Sequence, residues 1–151
     1  MSYGVKKIDL LFEDLTYEIR GILFEVHREL GRFAKEKQYG DLLEKKFVER
    51  KIKYKRELII ANSGNIVDFL VEDCLLLEIK AKPFLLKTDY YQMQRYLQST
   101  QIKLGLLVNF RPVYLNPQRV LLATSLDIGR SESHLNTDQP TGRGSTDTYG
   151  F

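Results

Sequence analysis

Three charged residues interrupt stretches that otherwise read as core: Asp68 within Ile66 to Val71, and Glu78 and Lys80 within Leu75 to Ala81. Glu78 and Lys80 are two apart, so on a strand their side chains leave the same face. With residues 72 to 74 as the turn of a hairpin, Val71 faces Leu75, and counting back brings Asp68 opposite Glu78. Opposed Cβ atoms in an antiparallel pair lie about 4.5–5.5 Å apart, where like charges repel. Two carboxylates in an apolar hairpin therefore need a cation. Lys80 can supply one, and a divalent metal can supply a stronger one. Magnesium takes an oxygen shell and commonly uses only one or two carboxylates, with water and substrate phosphate completing it. Such an ion polarises a phosphate oxygen and lowers the pKa of bound water. Lys80 beside it can position or deprotonate that water, or hold a phosphate oxygen. As a base it needs its pKa lowered by the metal and by partial burial. Two readings stay open on these residues alone, a structural ion pair on a strand edge and a metal centre.

The elements that must position these residues follow from hydrophobic spacing. Ile19, Ile22, Leu23, Val26 and Leu30 recur at three- and four-residue intervals, which predicts an amphipathic helix from Thr16 to Leu30 stopped by Gly31. A second helix is expected from Glu36 to Arg50, with Tyr39, Leu42, Leu43, Phe47 and Val48 on its apolar side. Lys53 to Ile60 reads as a strand, and Asn62-Ser63-Gly64-Asn65 as a turn. The runs Ile66 to Val71 and Leu75 to Ala81 read as a hairpin covered on both faces. Thr88 is placed to cap a helix from Asp89 to Thr100, with Tyr90, Met93 and Leu97 inward. Leu104 to Phe110 is a further strand, and Gln118 to Ala123 a short last one. The order, helix, helix, three strands, helix, strand, predicts an α/β fold with a mixed sheet of four or five strands flanked by helices. Tyr39 and Tyr96 are expected to pack in the core with their hydroxyls at water. Residues 1–126 form one domain on this reading, and the polar residues 127–151 a tail too poor in apolar groups to fold alone.

Composition narrows the function. The chain has 151 residues, 43% hydrophobic and 28% charged, the balance of an ordinary globular domain. A single cysteine, Cys74, rules out an internal disulfide and reads as a small core residue. His27 is the one histidine before the polar tail, so a zinc site or a Cys–His pair has little to build with. No apolar run reaches the roughly 18 residues of a membrane span, and no signal peptide is expected at the N-terminus, which points to the cytoplasm. Net charge is only +3, but its distribution is uneven. From Lys35 to Glu57 there are nine basic residues (Lys35, Lys37, Lys45, Lys46, Arg50, Lys51, Lys53, Lys55, Arg56) and five acids (Glu36, Asp41, Glu44, Glu49, Glu57). Such an excess attracts phosphates, or it is a solvated helix face.

Taken together, Asp68 and Glu78-Ile79-Lys80 on a helix-then-hairpin framework resemble the PD-(D/E)XK nuclease superfamily, and more narrowly the small bacterial GxxExxY proteins. Further matching stretches are Leu15-Thr16-Tyr17, Gly21 to Leu30 with Glu25, Val26 and His27, Gly31 followed by Glu36-Lys37-Gln38-Tyr39, and Val67 to Val71. Leu77 to Ala81, Gln92 with Tyr96-Leu97, and Gly105 to Phe110 complete the match, about residues 13 to 123. Val67 stands where the superfamily has proline, and Phe33 where the glycine of the family's name falls. The resemblance implies a restriction-endonuclease-like core and a nuclease using Mg2+ or Mn2+ on DNA or RNA. It implies Asp68, Glu78, Ile79 and Glu25 as metal ligands, Lys80 as the catalytic lysine, and Gln92 as a polar group directed at the site. A homodimer or protein partner is expected to supply specificity. The alternative is a non-catalytic nucleic-acid- or protein-binding module that keeps the fold; three site residues together favour the enzyme.

Overall fold

The two runs around Asp68 and Glu78 become neighbouring strands in the middle of a five-stranded sheet. The structure, a computed structural model, describes residues 2–61 and 63–123, with side chains from residue 12 onward. In chain order the elements are α1 (Ser2–Leu30), α2 (Glu36–Glu49), β1 (Tyr54–Ile59), β2 (Ile66–Val71), β3 (Leu75–Lys80), α3 (Lys87–Thr100), β4 (Leu104–Asn109) and β5 (Gln118–Leu121). The sheet order is β1-β2-β3-β4-β5. β3 and β4 are parallel and the other neighbours antiparallel. α3 supplies the crossover that parallel neighbours require. The expected α/β class and mixed, helix-flanked sheet are what the chain forms.

Alternation along β3, and along β2 beyond Asp68, divides the core into two layers. Phe69, Val71, Leu75, Leu77 and Ile79 meet Ile19, Ile22, Leu23 and Val26 of α1 and Tyr39, Leu43 and Phe47 of α2. On the other face Val67, Leu70, Leu76 and Leu107 meet Met93, Tyr96 and Leu97 of α3. β3 is thus covered on both faces, which explains its unbroken apolar run. Glu78 on it is buried, and Lys80 at its end is partly exposed.

Some expected boundaries move. α1 begins at Ser2 rather than Thr16, and Phe12 and Leu15 extend its apolar stripe ahead of Ile19. α3 begins at Lys87, and its cap comes from inside: Asp89 Oδ2 accepts the Leu86 N–H at 2.7 Å, while Thr88 is exposed. Val48 faces solvent. Gly31 stops α1 in the left-handed region, φ 73°, where a side chain would be strained. Tyr39 is buried, but its hydroxyl is not at water. It donates to Gly31 O at 2.5 Å and accepts the Ala34 N–H at 3.2 Å, fixing the α1–α2 loop, while its ring stacks on Phe110 at 4.1 Å. The polar tail, 127–151, lies outside the described residues.

Candidate active site

Asp68 sits where the sheet comes apart. β2 and β3 pair as Val71↔Leu75, Leu70↔Leu76 and Phe69↔Leu77, the register counted from the three-residue turn, and pairing stops there. On its other edge β2 pairs with β1 at Arg56↔Phe69 and Leu58↔Val67, and no pairing joins Glu57 to Asp68. Glu57 takes a left-handed φ of 56° at this lapse. The N–H groups left without a ladder partner still need acceptors. Carboxylates provide them: Asp68 N–H donates to Glu78 Oε1 at 3.2 Å, and Ile79 N–H donates to Asp68 Oδ2 at 2.6 Å. Asp68 and Glu78 therefore meet as expected, through side chain-to-backbone bonds rather than as a ladder pair.

The opening forms a cavity lined by Asp68 and Ile79, by Glu36, Lys37 and Gly40 of α2, and by Arg56. Glu78 is only 6% exposed. Burial first, and the facing Asp68 carboxylate second, push its carboxyl up to about 8, against an ordinary 4.5, with Lys80 pulling the other way. A carboxyl that keeps its proton to this pH belongs to a pair short of positive charge.

Lys80 leaves β3 on the α3 side. Its Nζ donates to Gln92 Oε1 at 3.0 Å, and stands 3.7 Å from Glu78 Oε2 and 3.9 Å from Asp89 Oδ1. Asp89 is itself buried and bound to Lys82 Nζ at 2.5 Å. The ammonium is thus held by an amide and only loosely by carboxylates. A structural ion pair would be tighter. Asp89, three residues into α3, is the kind of acid that caps a helix, and it does so here while holding Lys82.

The structure brings together Asp68, Glu78, Ile79, Lys80 and Gln92. Glu25 is not among them: its carboxylate is bonded to Arg50 at the end of α2. Among the described residues no three His, Cys, Asp or Glu side chains gather as a metal group. The donor set is two carboxylates, with the Ile79 carbonyl on the same strand. Such hard oxygen donors fit Mg2+ or Mn2+, which keep part of their shell as water.

The basic stretch is less free than its composition suggests. Lys46 pairs with Glu29, Arg50 with Glu25, Lys53 with Asp73, and Arg56 with Asp41 and Glu44. Lys35, Lys37, Lys45, Lys51 and Lys55 are exposed, and Lys37 lines the cavity.

The family model of the PD-(D/E)XK nuclease superfamily matches residues 13–120, and the chain belongs to that superfamily. No curated relative matches the chain. Among solved structures it is similar to the crystal structure of SSO0001, at 17% identity and a TM-score of 0.43, over 77% of this chain and 70% of that chain. No helix among the described residues is long and apolar enough to cross a membrane.

Proposed function

We propose that the chain is a divalent-metal-dependent nuclease that hydrolyses phosphodiester bonds in DNA or RNA, with Asp68, Glu78 and Lys80 at its centre. One observation carries this reading. Two carboxylates meet at a lapse in the sheet beside a cavity, and a half-buried lysine two residues along β3 is oriented by an amide. Each carboxyl also accepts a strand N–H, a task that an amide would perform without the repulsion that helps Glu78 keep its proton.

In this proposal Asp68, Glu78 and the Ile79 carbonyl hold Mg2+ or Mn2+, which when bound would polarise a phosphate oxygen and acidify a water. Lys80 directs its ammonium at a phosphate oxygen or at the attacking water. Gln92 takes up one of its three donors and so fixes its direction. Glu36, rather than Glu25, is the further carboxylate at the cavity, and Lys37 offers positive charge at its mouth. Membership of the GxxExxY group and a cytoplasmic setting belong to the same proposal, in keeping with a single free cysteine.

Calorimetric titration of magnesium into wild type and Asp68→Asn, with cleavage of labelled DNA and RNA in parallel, tests the reading. Wild type should bind the ion and cleave, and the variant should do neither. If wild type binds no divalent ion, the enzyme reading fails and the non-catalytic binding module takes its place.

A further inference from the structure

At the end of the sheet where Lys80 lies, the α1–α2 loop presents an aromatic ring to solvent. Phe33 is 72% exposed, although it stands in a loop that Tyr39 holds in place. Exposing a phenyl ring forgoes the stabilisation of burying it, of order 1.5–3 kcal/mol. Two guanidinium groups lie over it: Arg32 Cζ is 4.9 Å and Arg111 Cζ 5.5 Å from the ring centre.

These arginines are fixed by backbone, not by acids. Arg32 Nε donates to Arg111 O at 2.7 Å, and Arg111 Nε donates back to Arg32 O at 3.2 Å. A terminal amino group of Arg111 donates to Ala81 O at 3.0 Å, one residue beyond Lys80. Among the described residues neither arginine has a carboxylate partner. Two positive charges are therefore oriented and left uncompensated. The connections leaving β3 and β4 at this same end carry two more exposed rings, Phe84 and Tyr114.

We propose that Phe33, Arg32 and Arg111 form a platform for single-stranded nucleic acid beside the active end of β3, Phe33 stacking on an unpaired base while the guanidiniums take adjacent phosphates. Charge complementarity selects a polyanion. The largely exposed ring with its two guanidiniums selects unpaired bases, because paired bases in a duplex stack on each other and present only their edges to a protein. Aromatic rings beside cations are the general means of holding single strands. The platform names the substrate of the site proposed above and rests on that reading.

Fluorescence anisotropy with a labelled single-stranded oligodeoxynucleotide and with its blunt duplex, both in EDTA, measures the platform directly. Wild type should favour the single strand. Phe33→Ala should weaken single-strand binding about tenfold, and Phe33→Tyr should restore it. Arg32→Gln should reduce the log–log salt slope by about 0.7, the share of one single-strand phosphate. Equal binding by Phe33→Ala and wild type, a preference for the duplex, or no binding to either probe overturns the platform. Cleavage in magnesium separates the two proposals. Asp68-dependent cleavage by a protein whose binding ignores Phe33 overturns the platform alone. Phe33-dependent binding without any magnesium-dependent cleavage supports the platform and overturns the nuclease.

Discussion

Asp68 and Glu78 each hold the other's strand: Glu78 Oε1 accepts the Asp68 N–H at 3.2 Å, and Asp68 Oδ2 accepts the Ile79 N–H at 2.6 Å. Each carboxylate thus has a structural task that its amide can perform. Asp68→Asn keeps an acceptor for Ile79 and should change metal-free stability by less than ~1 kcal/mol. Asp68→Ala strands a buried N–H and should cost about 1–3 kcal/mol. Urea unfolding in EDTA separates the two variants, and both should lose magnesium binding in calorimetry.

Stability in the absence of metal should fall as pH rises from about 4.5 to about 8. In that interval the unfolded chain has released the Glu78 proton and the folded chain still holds it, so raising pH favours unfolding. The slope is at most ~1.4 kcal/mol per pH unit. Glu78→Gln should abolish this contribution and equal or exceed wild type near neutral pH. Magnesium displaces the same proton, so its affinity should climb over the same interval, with proton uptake by the buffer measurable in calorimetry. A wild-type stability profile parallel to that of Glu78→Gln would refute the assignment.

Gln92→Ala should leave magnesium affinity unchanged and lower turnover by about tenfold, because Lys80 loses the acceptor that directs it at 3.0 Å. Lys80→Ala should likewise keep metal binding and lose turnover almost completely. Single-turnover cleavage at saturating magnesium provides the comparison. If either variant loses metal affinity instead, Lys80 and Gln92 organise the carboxylates rather than the reaction.

Gly105 on β4 lies under α3, and a Cβ there would stand 2.6 Å from Met93 Sδ and 3.0 Å from its Cγ. Gly105→Ala should therefore cost about 1–3 kcal/mol of overpacking, moderated because a methionine side chain can bend away. A thermal melt should show a decrease of several degrees, with metal affinity preserved.

Periodicity made much of this molecule legible. The spacing of Ile19, Ile22, Leu23 and Val26 identified the buried face of α1, and the three-residue turn identified the register that brings Asp68 near Glu78. Gln92 was directed at the site only by the family resemblance, and its bond to Lys80 is seen in the structure alone. What stayed hidden depends on contacts between distant parts of the chain. Glu25 lies beside an apolar stripe, and nothing local shows that Arg50, twenty-five residues on, takes its carboxylate. The Arg32–Arg111 clip spans 79 residues. The lapse in pairing at Asp68 is a property of three strands at once, so no local pattern announces it.

Because Asp68 serves both a fold and a reaction, position 68 constrains how this chain can decay. A lineage released from selection for activity would still need an oxygen acceptor for the Ile79 N–H. Asparagine meets that need, and alanine or leucine does not. Descendants that have become inert should therefore carry amides at 68 and 78 rather than apolar residues. A saturation library at 68 sorted for folding alone should enrich Asp and Asn, and the same library sorted for cleavage should keep only Asp.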